Sequence, residues 1–101
     1  MPFVKLGKVS DIPEGSGKMY EIEDRWISVF KVNGELKAID DICSHAEAHL
    51  HEGELENYEI ECNAYGARFD LRTGKVCSGP AVLPIDTFPV RIQKGSFEVD
   101  I

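Results

Sequence analysis

Cys43-Ser44-His45 and, further along, Cys62-Asn63-Ala64-Tyr65-Gly66 are the stretches on which the reading of this chain turns. Each pairs a cysteine with a second side chain only two or three places on. Two short-spaced pairs on facing loops can present like atoms in pairs. Thiolates are soft, anionic ligands for iron, and a neutral imidazole such as His45 suits a neighbouring ion. The spacing therefore predicts a metal site at Cys43, His45 and Cys62, with position 65 facing it. Without a metal, Cys43 and Cys62 are ordinary buried cysteines and His45 is a loop residue. The cysteine count supports the first reading: three, at 43, 62 and 77, are not a disulfide framework, and in a reducing compartment they suit ligation plus one spare thiol.

Outward from these motifs the chain reads as strand. Trp26, Ser28, Phe30 and Val32 alternate with Ile27, Val29 and Lys31, a β-branched and aromatic run. Asn33-Gly34 follows, then Leu36-Lys37-Ala38-Ile39, which is a hairpin signal. Phe97, Val99 and Ile101 alternate with Glu98 and Asp100 behind a Lys94-Gly95 turn, and Thr73-Gly74 turns between Phe69-Asp70-Leu71 and Lys75-Val76. Trp26, Phe30, Phe97 and Tyr20 are expected in the core or half-buried on a sheet. Ala46-Glu47-Ala48 is the one place for a helical turn. The expected fold is all-β, an antiparallel sandwich or barrel. A small metal-binding lobe, about residues 40–81, is inserted between strands that pair before and after it.

With 101 residues the chain suits one domain, 1–101, and 43% hydrophobic residues argue against disorder. A net charge of −7 repels phosphate backbones, so nucleic acid is not an expected partner; a basic patch on a protein is a better match. Met1-Pro2-Phe3-Val4-Lys5 carries no signal-peptide pattern, and no apolar run reaches the roughly 18 residues of a membrane span. The expectation is a cytoplasmic protein with no membrane contact. No Gly-rich phosphate loop and no Ser/His/Asp set points to catalysis.

The motifs together resemble the Rieske-type ferredoxins, small carriers that serve ring-hydroxylating dioxygenases, and the likeness runs through nearly the whole chain. Cys43-Ser44-His45 is similar to the first ligand motif, with Glu52-Gly53-Glu54-Leu55 as the turn after it. Glu61-Cys62 and Gly66-Ala67-Arg68-Phe69-Asp70 are similar to the second. Thr73-Gly74-Lys75, the Gly79-Pro80-Ala81 cover loop and the tail Ile85-Asp86-Thr87-Phe88-Pro89-Val90 also fit. The resemblance implies a [2Fe–2S] cluster with Cys43 and Cys62 on one iron and His45 and Tyr65 on the other. It implies electron transfer from a flavin-dependent reductase to a terminal oxygenase, with His45 near the exit and no catalysis by the carrier itself. Ala48 and Ala64 stand where respiratory relatives carry a disulfide. Ala67 and Phe69 stand where those relatives donate hydroxyls to sulfur. Both differences imply an oxygenase-type carrier of low potential.

Three places depart from the family pattern. Tyr65 replaces the second histidine; it is either a phenolate ligand, which would lower the potential further, or an aromatic lid over an altered site. Asn63-Ala64 replaces a proline, which frees the loop. His49 and His51, two apart, would face one side of a strand. They are either solvated loop residues or, with His45, ligands of a mononuclear Fe or Zn centre. Cys77 is either a thiol near the cover loop or an unremarkable strand-end residue, and Glu47, Glu52 and Glu54 are weak carboxylate candidates. Besides the electron carrier, two other functions remain open: a mononuclear metal protein, and a clusterless interaction subunit with no cofactor.

Overall fold

The computed structural model describes residues 3–43, 48–63, 66–78 and 83–101. The expected helical turn at Ala46-Glu47-Ala48 and the cover loop at Gly79-Pro80-Ala81 fall largely outside them. Strands dominate the described residues: β1 (Phe3–Lys8), β2 (Gly17–Ile22), β3 (Arg25–Val32), β4 (Glu35–Asp40), β5 (Glu54–Glu56), β6 (Glu59–Glu61), β7 (Arg68–Asp70), β8 (Val76–Ser78), β9 (Thr87–Phe88), β10 (Val90–Gln93) and β11 (Ser96–Asp100). One-turn 3-10 helices at Val9–Asp11 and Leu50–Glu52 complete the order. The all-β, antiparallel expectation is met. None of the described residues form a helix long and apolar enough to cross a membrane.

Among the described residues the strands form three sheets, in the orders β1-β11-β10, β2-β3-β4-β9 and β5-β6-β7-β8. Every pairing is antiparallel. The β5–β8 sheet lies in sequence between β4 and β9, which pair with each other through Ala38↔Phe88 and Ile39↔Thr87. The chain thus leaves the middle sheet after β4, builds a separate sheet, and returns.

The centre of the middle sheet, β3 and β4, is buried on both faces. Phe30, Val32 and Ile39 pack with Ile60 and Phe69 of the β5–β8 sheet and with Cys43, Leu50, Cys62, Leu71 and Ile85. Ile27, Val29, Leu36 and Ala38 point the other way, onto Ile12 and onto Phe97 and Val99 of β11. The alternation along β3 therefore sorts residues between two cores rather than between core and water, as a near-continuous apolar run allows. Trp26 corrects one expectation. It is 39% exposed at the start of β3, with its indole Nε1–H donating to Glu21 Oε2 at 3.2 Å.

The turns follow from backbone preference. Asn33 and Gly34 both take positive φ (53° and 76°) between Val32 and its partner Glu35, and Lys94-Gly95 (51° and 79°) does the same between β10 and β11. Such turns match the twist of the strands they join. Glu23-Asp24, also at positive φ, turns β2 into β3 without a glycine.

Candidate metal centre

Both cysteine motifs hang from equivalent frames. In the first, Ile42 bridges His49 and the Cys43 N–H donates to the Ala48 carbonyl at 2.9 Å. In the second, Glu61 pairs with Arg68 and the Cys62 N–H donates to the Ala67 carbonyl at 2.7 Å. Each cysteine thus opens a loop of equal span, closed on an alanine. The first frame extends β4; the second is the hairpin of β6 and β7.

Cys43 (3% exposed) and Cys62 (0%) are buried in one apolar cluster with Phe30, Ile39, Leu50, Ile60, Ala67 and Phe69. This surrounding suits a thiolate-ligated iron. Two soft donors share one pocket, and apolar walls exclude water, which sets the dielectric around the sulfurs. The thiolate half of the expected site is therefore compatible with a cluster. His45 and Tyr65, the imidazole and phenol of the other half, lie outside the described residues, as does Ala64.

The two loops are tied together. Gly53, after the first loop, lies so close to β6 that a Cβ there would sit 1.8 Å from the Glu61 carbonyl oxygen. The Asn63 side-chain amide donates to the Glu52 carbonyl at 3.1 Å. The expected freeing of this loop by loss of proline is thereby opposed: Asn63 supplies a tether in its place. Tyr58 adds a further tie, its hydroxyl donating to Glu35 Oε1 at 2.7 Å, from the β5–β6 turn to the start of β4.

His49 and His51 are not solvated loop residues. Neither lies in a strand that would put it beside the other: His49 is bridged to Ile42, and His51 sits in the Leu50–Glu52 turn. Both reach Asp41, which is completely buried. His49 Nδ1 lies 2.7 Å from Asp41 Oδ2, and His51 Nδ1 lies 2.9 Å from Oδ2 and 3.0 Å from Oδ1. The His51 backbone N–H donates to Oδ1 at 2.9 Å, the Leu50 N–H to the Asp41 carbonyl at 2.6 Å, and the Asp41 N–H to the Trp26 carbonyl at 2.9 Å. The His49 ring lies against Trp26 with centroids 4.9 Å apart. Asp41 escaped the sequence reading, since one acid among eighteen gives no sign of its burial. Its place two residues before Cys43 was the available hint.

Cys77 is exposed on β8, its Sγ 3.8 Å from the Lys75 carbonyl oxygen. Burial, then the carboxylates of Glu59 and Asp70, push its thiol pKa up, which makes it a poor nucleophile at neutral pH. The cover loop of its other reading lies outside the described residues. Glu52 and Glu54 are exposed.

Comparison with known proteins agrees with this architecture. Residues 2–89 match the Rieske [2Fe-2S] domain. The chain is 46% identical to the ferredoxin component of the p-cumate 2,3-dioxygenase system of Pseudomonas putida, over 97% of this chain and 85% of that one. It superposes on the ferredoxin of carbazole 1,9a-dioxygenase from Nocardioides aromaticivorans IC177 with a TM-score of 0.93 and 29% identity, covering 98% and 97% of the two chains. A complex of reduced oxygenase and oxidized ferredoxin in carbazole 1,9a-dioxygenase matches with a TM-score of 0.91 and 30% identity, covering 96% of this chain and 91% of the matched one. With matched cysteine loops in one dry core and relatives of this kind across its length, the chain belongs to the Rieske [2Fe-2S] domain family.

Proposed function

We propose that this protein is the ferredoxin of a ring-hydroxylating oxygenase system, taking single electrons from a flavin-dependent reductase and passing them to a terminal oxygenase. The observation that carries the reading is the pair of buried cysteines on equivalent loops in one core. A [2Fe–2S] cluster bound there supplies reversible one-electron chemistry. Cys43 and Cys62 would hold one iron of the cluster, and His45 and Tyr65 the other. The segment of about 40–81 serves as the cluster-binding lobe of a single domain, 1–101. Phe30, Ile60 and Phe69 keep water from the sulfurs. Ala67 and Phe69 offer them no side-chain donor, which favours a low potential. The partner docks by charge, an acidic carrier of net −7 against a basic patch, in a cytoplasmic setting. The named role of the p-cumate relative and the oxygenase–ferredoxin complex support this assignment.

Iron and acid-labile sulfide per chain, with EPR of the reduced protein, test the reading. A reduced-cluster signal with equal iron and sulfide is expected. Metal without sulfide would move the function to a mononuclear centre, and neither metal nor sulfide would leave a scaffold subunit. Tyr65→His then tests the outer ligand. Exchanging a phenolate for a neutral imidazole should raise the potential by on the order of 100 mV, since replacing anionic ligands by histidine raises cluster potentials. An unchanged potential would remove Tyr65 from the ligand set.

A further inference from the structure

We infer that Asp41, His49 and His51 form a second metal site, separate from the cysteines, that takes a divalent transition ion such as Fe(II), Co(II) or Ni(II). One ligand atom from each residue falls within 4.8 Å of the other two. The nitrogen–oxygen separations are 2.7 Å for His49 and 2.9 Å for His51, both to Asp41 Oδ2. Two ligands at right angles, with metal bonds of about 2.0–2.1 Å, stand about 2.9 Å apart. Two imidazoles and one carboxylate on one side of an ion, with the remaining positions open, form a set that suits octahedral first-row metals.

The surroundings favour the site over a chance meeting of polar groups. Asp41 is fully buried, and three backbone hydrogen bonds fix its place: its own N–H to Trp26, and the N–H groups of Leu50 and His51 to its oxygens. Trp26 backs the His49 ring. The imidazoles remain 33% and 25% exposed, so an ion has a way in. The protons also balance. A neutral imidazole carries one N–H; without metal it sits on Nδ1 and donates to Asp41, and with metal it moves to Nε2, leaving the Nδ1 lone pair for the ion. No net proton release is required, and the ion's charge meets a buried carboxylate that three N–H groups otherwise satisfy.

The test is a titration of the purified full-length protein with Co(II), after dialysis to remove loosely bound metal, followed by calorimetry and visible absorption. One equivalent should bind with ligand-field bands and no sulfur-to-cobalt charge-transfer band. His49→Asn and His51→Asn each keep an N–H donor for Asp41 near the place of Nδ1 but give up the imidazole lone pair, so both should fold. Each should bind cobalt more than about tenfold more weakly, the least that loss of even an outer-sphere partner costs, and the double variant should not bind. Unchanged affinity in these variants or the absence of saturable binding overturns the site. The cluster content of the same samples, measured as sulfide, is independent of the result.

Discussion

Gly53 shows how much a single position holds. Its φ of −80° is open to any residue, so the requirement is not conformational freedom but room. A methyl group there would overlap the Glu61 carbonyl oxygen, the backbone that leads directly into Cys62. Gly53→Ala should therefore push the two loops apart and destabilise the fold by about 1–3 kcal/mol, the range for overpacking. Urea unfolding would measure it, and a stability within error of the parent would mean that β6 yields easily. At this same scale the cysteines and His45 were legible as a motif because ligand spacing is a local property of sequence. Asp41 was not. What distinguishes it from the other acids is burial and two imidazoles that fold back onto it, and neither has a local signature. His49 and His51 stand out in sequence as departures from the family pattern, but a bridge and a turn, not the expected strand, bring them to Asp41.

Among the elements, the turn after β7 carries a pH dependence. Asp70 Oδ1 accepts the Arg72 backbone N–H at 2.7 Å and the Nε–H at 3.1 Å, while Oδ2 accepts from the terminal nitrogen at 2.9 Å. The Asp70 N–H and C=O also close the turn, to the Lys75 carbonyl and from the Gly74 N–H. The Arg72 side-chain bonds hold the Asp70 carboxyl below its ordinary value of 3.8, against the opposing effect of burial. A depressed carboxylate stabilises the fold above the unfolded value, and that contribution is lost as pH falls through the lower, folded one. Asp70→Asn should flatten the stability–pH curve below about pH 4. Its cost at neutral pH should stay under about 1 kcal/mol, because Arg72 is solvent-exposed. Thermal unfolding across pH checks both. A parallel curve for the variant would remove Asp70 from the acid response. Elements were legible where turn chemistry is explicit, as at Asn33-Gly34 and Lys94-Gly95. Glu23-Asp24 bends as sharply, yet without glycine it leaves no signal, since its positive φ is imposed by the pairing of β2 with β3.

For the molecule as a whole, the two cores share a wall. Ile27 and Val29 face Phe97 and Val99, while Phe30 and Val32, their neighbours on the same strand, face the cysteine side. Loosening one core exposes the back of the other. Val99→Ala, remote in the fold's layers from Cys43 and Cys62, should cost about 1–3 kcal/mol. It should also speed amide exchange in β6 and β7 by the same factor as in β3. Exchange that accelerates only in β3 and β11 would mean that the cores melt separately. The sequence pattern showed β3 as strongly apolar but not that residues 27–30 are covered on both sides, since a periodicity of two is equally served by solvent or by a second core. Over residues 27–30 β3 is buried on both sides and has little room for change: a new charge there would have to be buried. Variation in ligands, docking charge and accessory sites is thereby channelled into the loops and outer sheets. A residue such as His49 or His51 can be exchanged there without disturbing the register of the frame that carries it, as fittings are replaced on a standing keel.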